Sequence, residues 1–150
     1  MRLILATAAV LSTLSLQQAD AGSVNCAPIT DQQVAKLFDR WNASLRTRDS
    51  EKVAANYAEN AILLPTLSNT PRLTHEQRVA YFDHFLEKQP QGSIDLRVIR
   101  VGCNTATDSG TYTFTFADGT KVPARYTYTY EFMDGKWLIT AHHSSMMPER

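Results

Sequence analysis

The chain has no surplus of charge of either sign: Lys plus Arg and Asp plus Glu number 15 each. No summed field draws it to nucleic acid or to an anionic membrane, so its partners are expected to be small molecules or further copies of itself. Cysteine is nearly absent, Cys26 and Cys103 being the only two, and neither has the CxxC or Cys/His spacing of a zinc or redox site. No serine is flanked by the glycines of a nucleophile elbow. Repeats, linkers and low-complexity stretches are missing as well. What remains is one domain, since 150 residues with 43% hydrophobic content fill one core and fall short of two.

The first residues, "MRLILATAAVLSTLSLQQADA", carry Arg2, an apolar run from Leu3 to Leu16, and Ala19-Asp20-Ala21 in the small-x-small pattern of signal peptidase. Residues 1–21 are therefore expected to be a cleavable signal peptide, with Gly22 the first residue of a secreted or periplasmic protein. A membrane span would need roughly 20 apolar residues, and Gln17, Gln18 and Asp20 interrupt the run first. The competing reading is a buried N-terminal helix. Residues 22–28 form a short N-terminal segment and 29–150 the domain, with no membrane association expected after cleavage. Export favours a Cys26–Cys103 disulfide; two free thiols too far apart to bridge is the alternative. A lipid anchor at Cys26 is disfavoured by Asn25, where a small residue would be wanted.

Thr30 with Gln33 is a capping-box start, and Val34, Leu37, Phe38, Trp41 and Leu45 recur on one helical face, predicting a first helix that ends near Arg48. Asp49 or Ser50 caps a shorter helix carrying Val53, Ala54, Tyr57 and Ala58. "AILLPTLSNTPR" reads as a short strand and a loop. Thr74 with Gln77 opens a third helix with Val79, Phe82, Phe85 and Leu86, which Pro90 and Gly92 end. Beyond Gly92 the period becomes alternating, with strands at 94–101, 106–116, 122–132 and 136–144 and turns at Asn104, Asp118-Gly119 and Asp134-Gly135. Helices first and an antiparallel meander afterwards make an α+β domain, its helices packed on one face of a curved sheet.

Alternation also sorts the candidate residues. In the last strand Trp137, Ile139, Ala141 and His143 share one face, Leu138, Thr140, His142 and Ser144 the other. With Trp137 and Ile139 as core residues, His143 is expected inside and His142 outside. Two adjacent histidines on opposite faces do not make a metal site, and His75 and His84 have no matching spacing, so neither metal nor cofactor is expected. Ser144 and Ser145 read as a polar strand end. Tyr112, Phe114 and Phe116 face inward with Tyr126, Tyr128, Tyr130 and Phe132, while Thr111, Thr113, Thr115, Thr127 and Thr129 make a flat outer face. Buried phenols need partners, which a partly polar cavity would supply. The expected ligand-binding set is Trp41, Tyr57, Tyr112, Arg125, Tyr128 and His143. Arg125 falls outside by strict alternation, and enters the set if Pro123 bends the strand and turns it toward the cavity mouth.

The segments "VAANYAENAILLPTLSN", "YFDHFL", "DSGTYTFTF", "VPARYTYTY" and "GKWLITAHHSSMMPE" together resemble secreted bacterial proteins related to the calcium/calmodulin-dependent protein kinase II association domain, within the SnoaL-like or nuclear transport factor 2-like superfamily. The resemblance runs from about Ile29 to Glu149. It implies a cone-shaped roll of three N-terminal helices on a strongly bent antiparallel sheet, a deep pocket between them, and homodimers through the outer sheet face. Where that kinase domain carries inner-strand arginines, Tyr112 and Tyr128 stand here, and no kinase or calmodulin-binding segment is present. Two functions follow as expectations. One is an exported self-association module that holds a small hydrophobic or polar-apolar ligand. The other is an enzyme like the ketosteroid isomerases and polyketide cyclases of the same fold, with His143 as catalytic acid/base and Tyr57, Tyr112 or Tyr128 as donors. The first is favoured because the inner strand positions assigned by alternation offer no carboxylate base.

Overall fold

A computed structural model describes residues 25–66 and 68–148; the signal-like segment and the expected cleavage before Gly22 lie outside the described residues. Three helices precede or interrupt the sheet: α1 Asp31–Leu45, α2 Ser50–Ala54 and α3 His75–Glu87. The five strands are β1 Tyr57–Leu64, β2 Gln91–Val101, β3 Thr105–Thr115, β4 Lys121–Met133 and β5 Lys136–Met146, in the order β1-β5-β4-β3-β2. Thr30 and Thr74 both close complete capping boxes, each accepting from the backbone of the glutamine three residues on. α2 is shorter than its apolar pattern suggests. It stops at Ala54, and Tyr57 and Ala58 begin β1, which pairs parallel to β5 while the other pairs are antiparallel.

The turns follow from local conformation. Asp134 and Gly135 both have positive φ (49° and 78°) between β4 and β5, the geometry that makes Asp-Gly a tight hairpin connection. Asn104 takes φ 58° between β2 and β3. There Cys26 and Cys103 are bonded, with Cα atoms 4.8 Å apart across 77 residues of sequence. Closing so long a loop stabilises the fold by about 2 to 5 kcal/mol.

The helices cover the concave face. α1 buries Val34, Phe38, Trp41 and Leu45 against Tyr126, Tyr128 and Phe114, with the rings mostly tilted or edge-on. α3 buries Phe82 and Leu86 and is tied to β1 by Arg78. That guanidinium is fully buried and donates to the carbonyls of Ala61, Ala58 and Glu59 at 2.7, 3.0 and 3.0 Å.

Two bulges reset the alternation. On β2, Ile94 pairs with Tyr112 but Leu96 pairs with Thr111, so Asp95 is the extra residue and Arg97 turns inward. Gly110 permits this, because a Cβ there would stand 1.9 Å from the Leu96 carbonyl oxygen. On β5, Ile139 pairs with Tyr130 but Ala141 pairs with Thr129, so Thr140 is extra. Beyond it every side chain changes face. The expectation for the histidine doublet is therefore overturned: His142 is buried and His143 is exposed on the outer face.

Candidate functional site

A cavity of about 300 Å³ opens between α3 and the concave face of the sheet. Its walls are mostly aromatic, from Trp41, Tyr81, Phe82, Phe85, Phe114 and Phe116. Its buried and half-buried polar residues are the ones that β5 and the β1–α3 loop deliver, His142, Ser144 and Thr66, together with Tyr112 of β3. His84, Glu87 and Lys88, exposed residues of α3 and its C-cap, line it too.

The hydroxyls form a chain. Tyr112 Oη donates to Ser144 Oγ at 2.6 Å, and Ser144 Oγ is also hydrogen-bonded to Thr66 Oγ1. Each of the three carries one proton, and two are used in bonds along the chain. The spare O–H belongs to Thr66 or Ser144, both of which line the cavity. Ser144 is thus more than a polar strand end. Ser144 is 7% exposed, and its hydroxyl joins the sheet to the loop after β1.

His142 is 4% exposed and sits in a cage of rings. Tyr128 stacks on it with centroids 4.0 Å apart, and Trp41 meets it edge-on at 5.4 Å. Burial pushes its pKa down to about 3, helped by the neighbouring His143, so the ring is neutral at physiological pH. Its Nδ1 is 2.8 Å from Tyr57 Oη, which in turn lies 3.0 Å from Trp41 Nε1. Its Nε2 has no hydrogen-bond partner among the described residues. Burial also raises the phenols, Tyr57 and Tyr128 far above the ordinary range and Tyr81 to about 12, so all keep their protons.

The expected ligand residues thus divide. Trp41, Tyr112 and the unforeseen His142 meet at the cavity, with Tyr57 behind His142. Tyr128 packs on the imidazole, its own hydroxyl without a partner among the described residues. His143 and Arg125 lie elsewhere. β3 and β4 stay in unbroken register through Pro123, so no bend turns Arg125 inward; it is exposed, and its guanidinium donates to the Met146 carbonyl at 3.2 Å. The two residues share a separate hollow on the outer face with Thr127 and Ser145. His143 therefore cannot act as an acid/base in the cavity.

An inward carboxylate does exist. Asp108 is fully buried on β3, its Oδ1 accepting from Tyr126 Oη at 2.8 Å, with Arg97 Nε 3.2 Å from Oδ1 and 3.0 Å from Oδ2. Burial raises its pKa, and the bonds from Tyr126 and Arg97 work against that rise. Its phase with Tyr112, four residues on, was a readable signal. It does not serve His142, because β4 with Tyr128 stands between them. Among the described residues no group of three or more His, Cys, Asp or Glu comes together in a way that could hold a metal ion.

Residues 30–148 match the calcium/calmodulin dependent protein kinase II association domain family. A Xanthomonas campestris protein described by that same domain name is 45% identical, with a TM-score of 0.78 over 91% of this chain and all of the other. The iota-carbonic anhydrase of a cyanobacterium, solved with bicarbonate, is 23% identical with a TM-score of 0.73, covering 81% of this chain and 94% of its own. A nuclear transport factor 2-like protein from Pseudomonas putida KT2440 is 15% identical with a TM-score of 0.70, over 79% and 87%. No curated protein matches.

Proposed function

Because the chain belongs to the calcium/calmodulin dependent protein kinase II association domain family, and because its cavity presents neutral hydrogen-bonding groups, we propose that it is an exported, self-associating domain whose cavity takes an O–C–O group, namely bicarbonate in exchange with carbon dioxide. The observation that carries this reading is the spare proton of the Tyr112–Ser144–Thr66 chain in the same cavity as His142, whose Nε2 is unpartnered. Two uncharged hydrogen-bonding groups among the lining residues, the hydroxyl chain and His142 with its buried Nε2, suit a small group with two oxygens, and aromatic walls admit carbon dioxide. A cyanobacterial protein of the same fold binds bicarbonate.

In the hydration direction, water oxygen bonds to the carbon of carbon dioxide and one C=O electron pair moves onto oxygen, where the spare hydroxyl proton meets it. The water proton passes to a second water molecule in the open cavity and from there to solvent, while the spare hydroxyl keeps its own proton and donates it as a hydrogen bond to the developing anion. His142 does not take that proton near neutrality, because burial keeps it neutral down to about pH 3. Stopped-flow hydration with a pH indicator tests the reading. Ser144→Ala combined with Thr66→Val should lower the rate about tenfold or more, roughly one hydrogen bond or its equivalent. An unchanged rate rejects it.

A second reading, storage or sensing of a larger amphipathic carboxylate without chemistry, is favoured by the volume of about 300 Å³ and its aromatic lining. A native mass spectrum of protein from its own host, scored for a retained molecule, separates the two. Self-association is assigned to the outer face, where Thr111, Thr113, Thr127 and Thr129 lie half-buried even in one chain. Thr113→Lys or Thr127→Lys should then sediment as monomer, because a two-fold contact would set each new charge against its own copy. Export is tested by N-terminal sequencing, with Gly22 expected first.

A further inference from the structure

The contacts around Tyr57 determine more than its position. Trp41 Nε1–H can only donate, so Tyr57 Oη accepts in the 3.0 Å contact between them. The phenol proton needs an acceptor of its own. Among the described residues His142 Nδ1, at 2.8 Å, is the group in place to take it. A buried O–H without an acceptor is rare in folded proteins, and Tyr57 is 6% exposed. The imidazole carries a single proton, because burial keeps it neutral.

We propose that Tyr57, itself held by Trp41, is a positioning residue that fixes the tautomer of His142, with Nδ1 the acceptor and Nε2 the N–H. The consequence is a rule of selection at the cavity. Nε2 is buried and has no partner among the described residues, so with Nε2 as donor His142 favours, in any group that enters from the cavity it lines, an oxygen bearing a lone pair over an N–H or O–H; with Nδ1 as donor the preference would invert. Tyr128 stacked at 4.0 Å and the edge of Trp41 keep the ring from rotating out of this arrangement. The functional side of the proposal rests on the bicarbonate reading, whereas the tautomer rests on the bonds alone.

The experiment uses the folded protein with histidines labelled with nitrogen-15, whose ring nitrogens report which one carries the proton. In the wild type His142 should show protonated Nε2 and bare Nδ1 near neutral pH. Tyr57→Phe should lose that single state and bind sodium bicarbonate, titrated into the same sample, about tenfold more weakly, the change expected for one hydrogen bond. A merely structural role for Tyr57 would leave the tautomer unmoved. A protonated Nδ1 in the wild type, or the same single tautomer in folded Tyr57→Phe, overturns the proposal. If the variant does not fold, the wild-type spectrum decides alone. If bicarbonate fails to bind the wild type while the tautomer changes in Tyr57→Phe, the positioning role stands and the bicarbonate reading falls.

Discussion

Asp108 and His142 occupy the same row of the sheet, one strand to either side of Tyr128, and the interior treats them in opposite ways. Asp108 has a counter-charge, although its Oδ2 accepts no hydrogen bond among the described residues. Tyr126 donates to it, Arg97 is its ion partner, and that guanidinium stacks over Phe38 at 5.5 Å. His142 has no counter-charge. Burial holds it neutral, Tyr57 meets one nitrogen, and the other is left without a partner beside a cavity. The difference follows from desolvation. A buried charge without a counter-charge is very costly, so Asp108 is paired with Arg97, whereas a neutral imidazole needs no counter-charge. The buried polar residues that line the cavity, Tyr112, His142 and Ser144, are accordingly uncharged.

Substitutions on the two sides should differ in size accordingly. Asp108→Ala leaves Arg97 partly buried without its counter-ion and should lower unfolding free energy by about 3 kcal/mol, measured by denaturant titration. A loss under about 1 kcal/mol would mean that the ion pair is already solvated. The next effect depends on pH. The folded pKa of His142, about 3, lies below its ordinary 6.5, so between those values the unfolded chain binds the extra proton. Stability from this residue is complete above about pH 6.5 and is lost as pH falls toward 3, by at most about 1.4 kcal/mol per pH unit. His142→Gln should flatten that slope relative to wild type, and equal slopes would show that His142 is not desolvated. The smallest effect is Tyr112→Phe, which removes one end of the hydroxyl chain but leaves Ser144 and Thr66 paired, at about 1 kcal/mol. A cost matching that of Asp108→Ala would erase the contrast.

Much of the fold could be read in advance because its signals are local. The capping boxes at Thr30 and Thr74, the Asp-Gly turns, and the alternating tyrosines and threonines each act over a few residues. The site was harder, and the reason is specific. The extra residue at Thr140 is β-branched and ordinary in a strand, so nothing in "WLITAHHSS" marks the bulge, yet it moves every later side chain to the other face. The bulge at Asp95 hid Arg97 in the same way. Asp108 needed no such knowledge, since unbroken alternation from Tyr112 already places it inside. Thr66 reaches Ser144 across 78 residues of sequence, a tertiary contact that no local pattern encodes.

The doublets at the end of β5 carry one further consequence. In His142-His143-Ser144-Ser145 each residue type appears in both phases of the strand, so the segment spells the same inward word, one histidine followed two places later by one serine, whichever frame the pairing takes. A one-residue slip of the end of β5 along β4 would exchange the two faces and turn His143 and Ser145 inward in place of His142 and Ser144, whereas deleting Thr140, the unpaired residue, would leave His142 and Ser144 where they are. The recognition chemistry is therefore written redundantly, in a form that survives a frameshift in strand pairing, while Arg97 and Asp108, each present once, have no such spare copy.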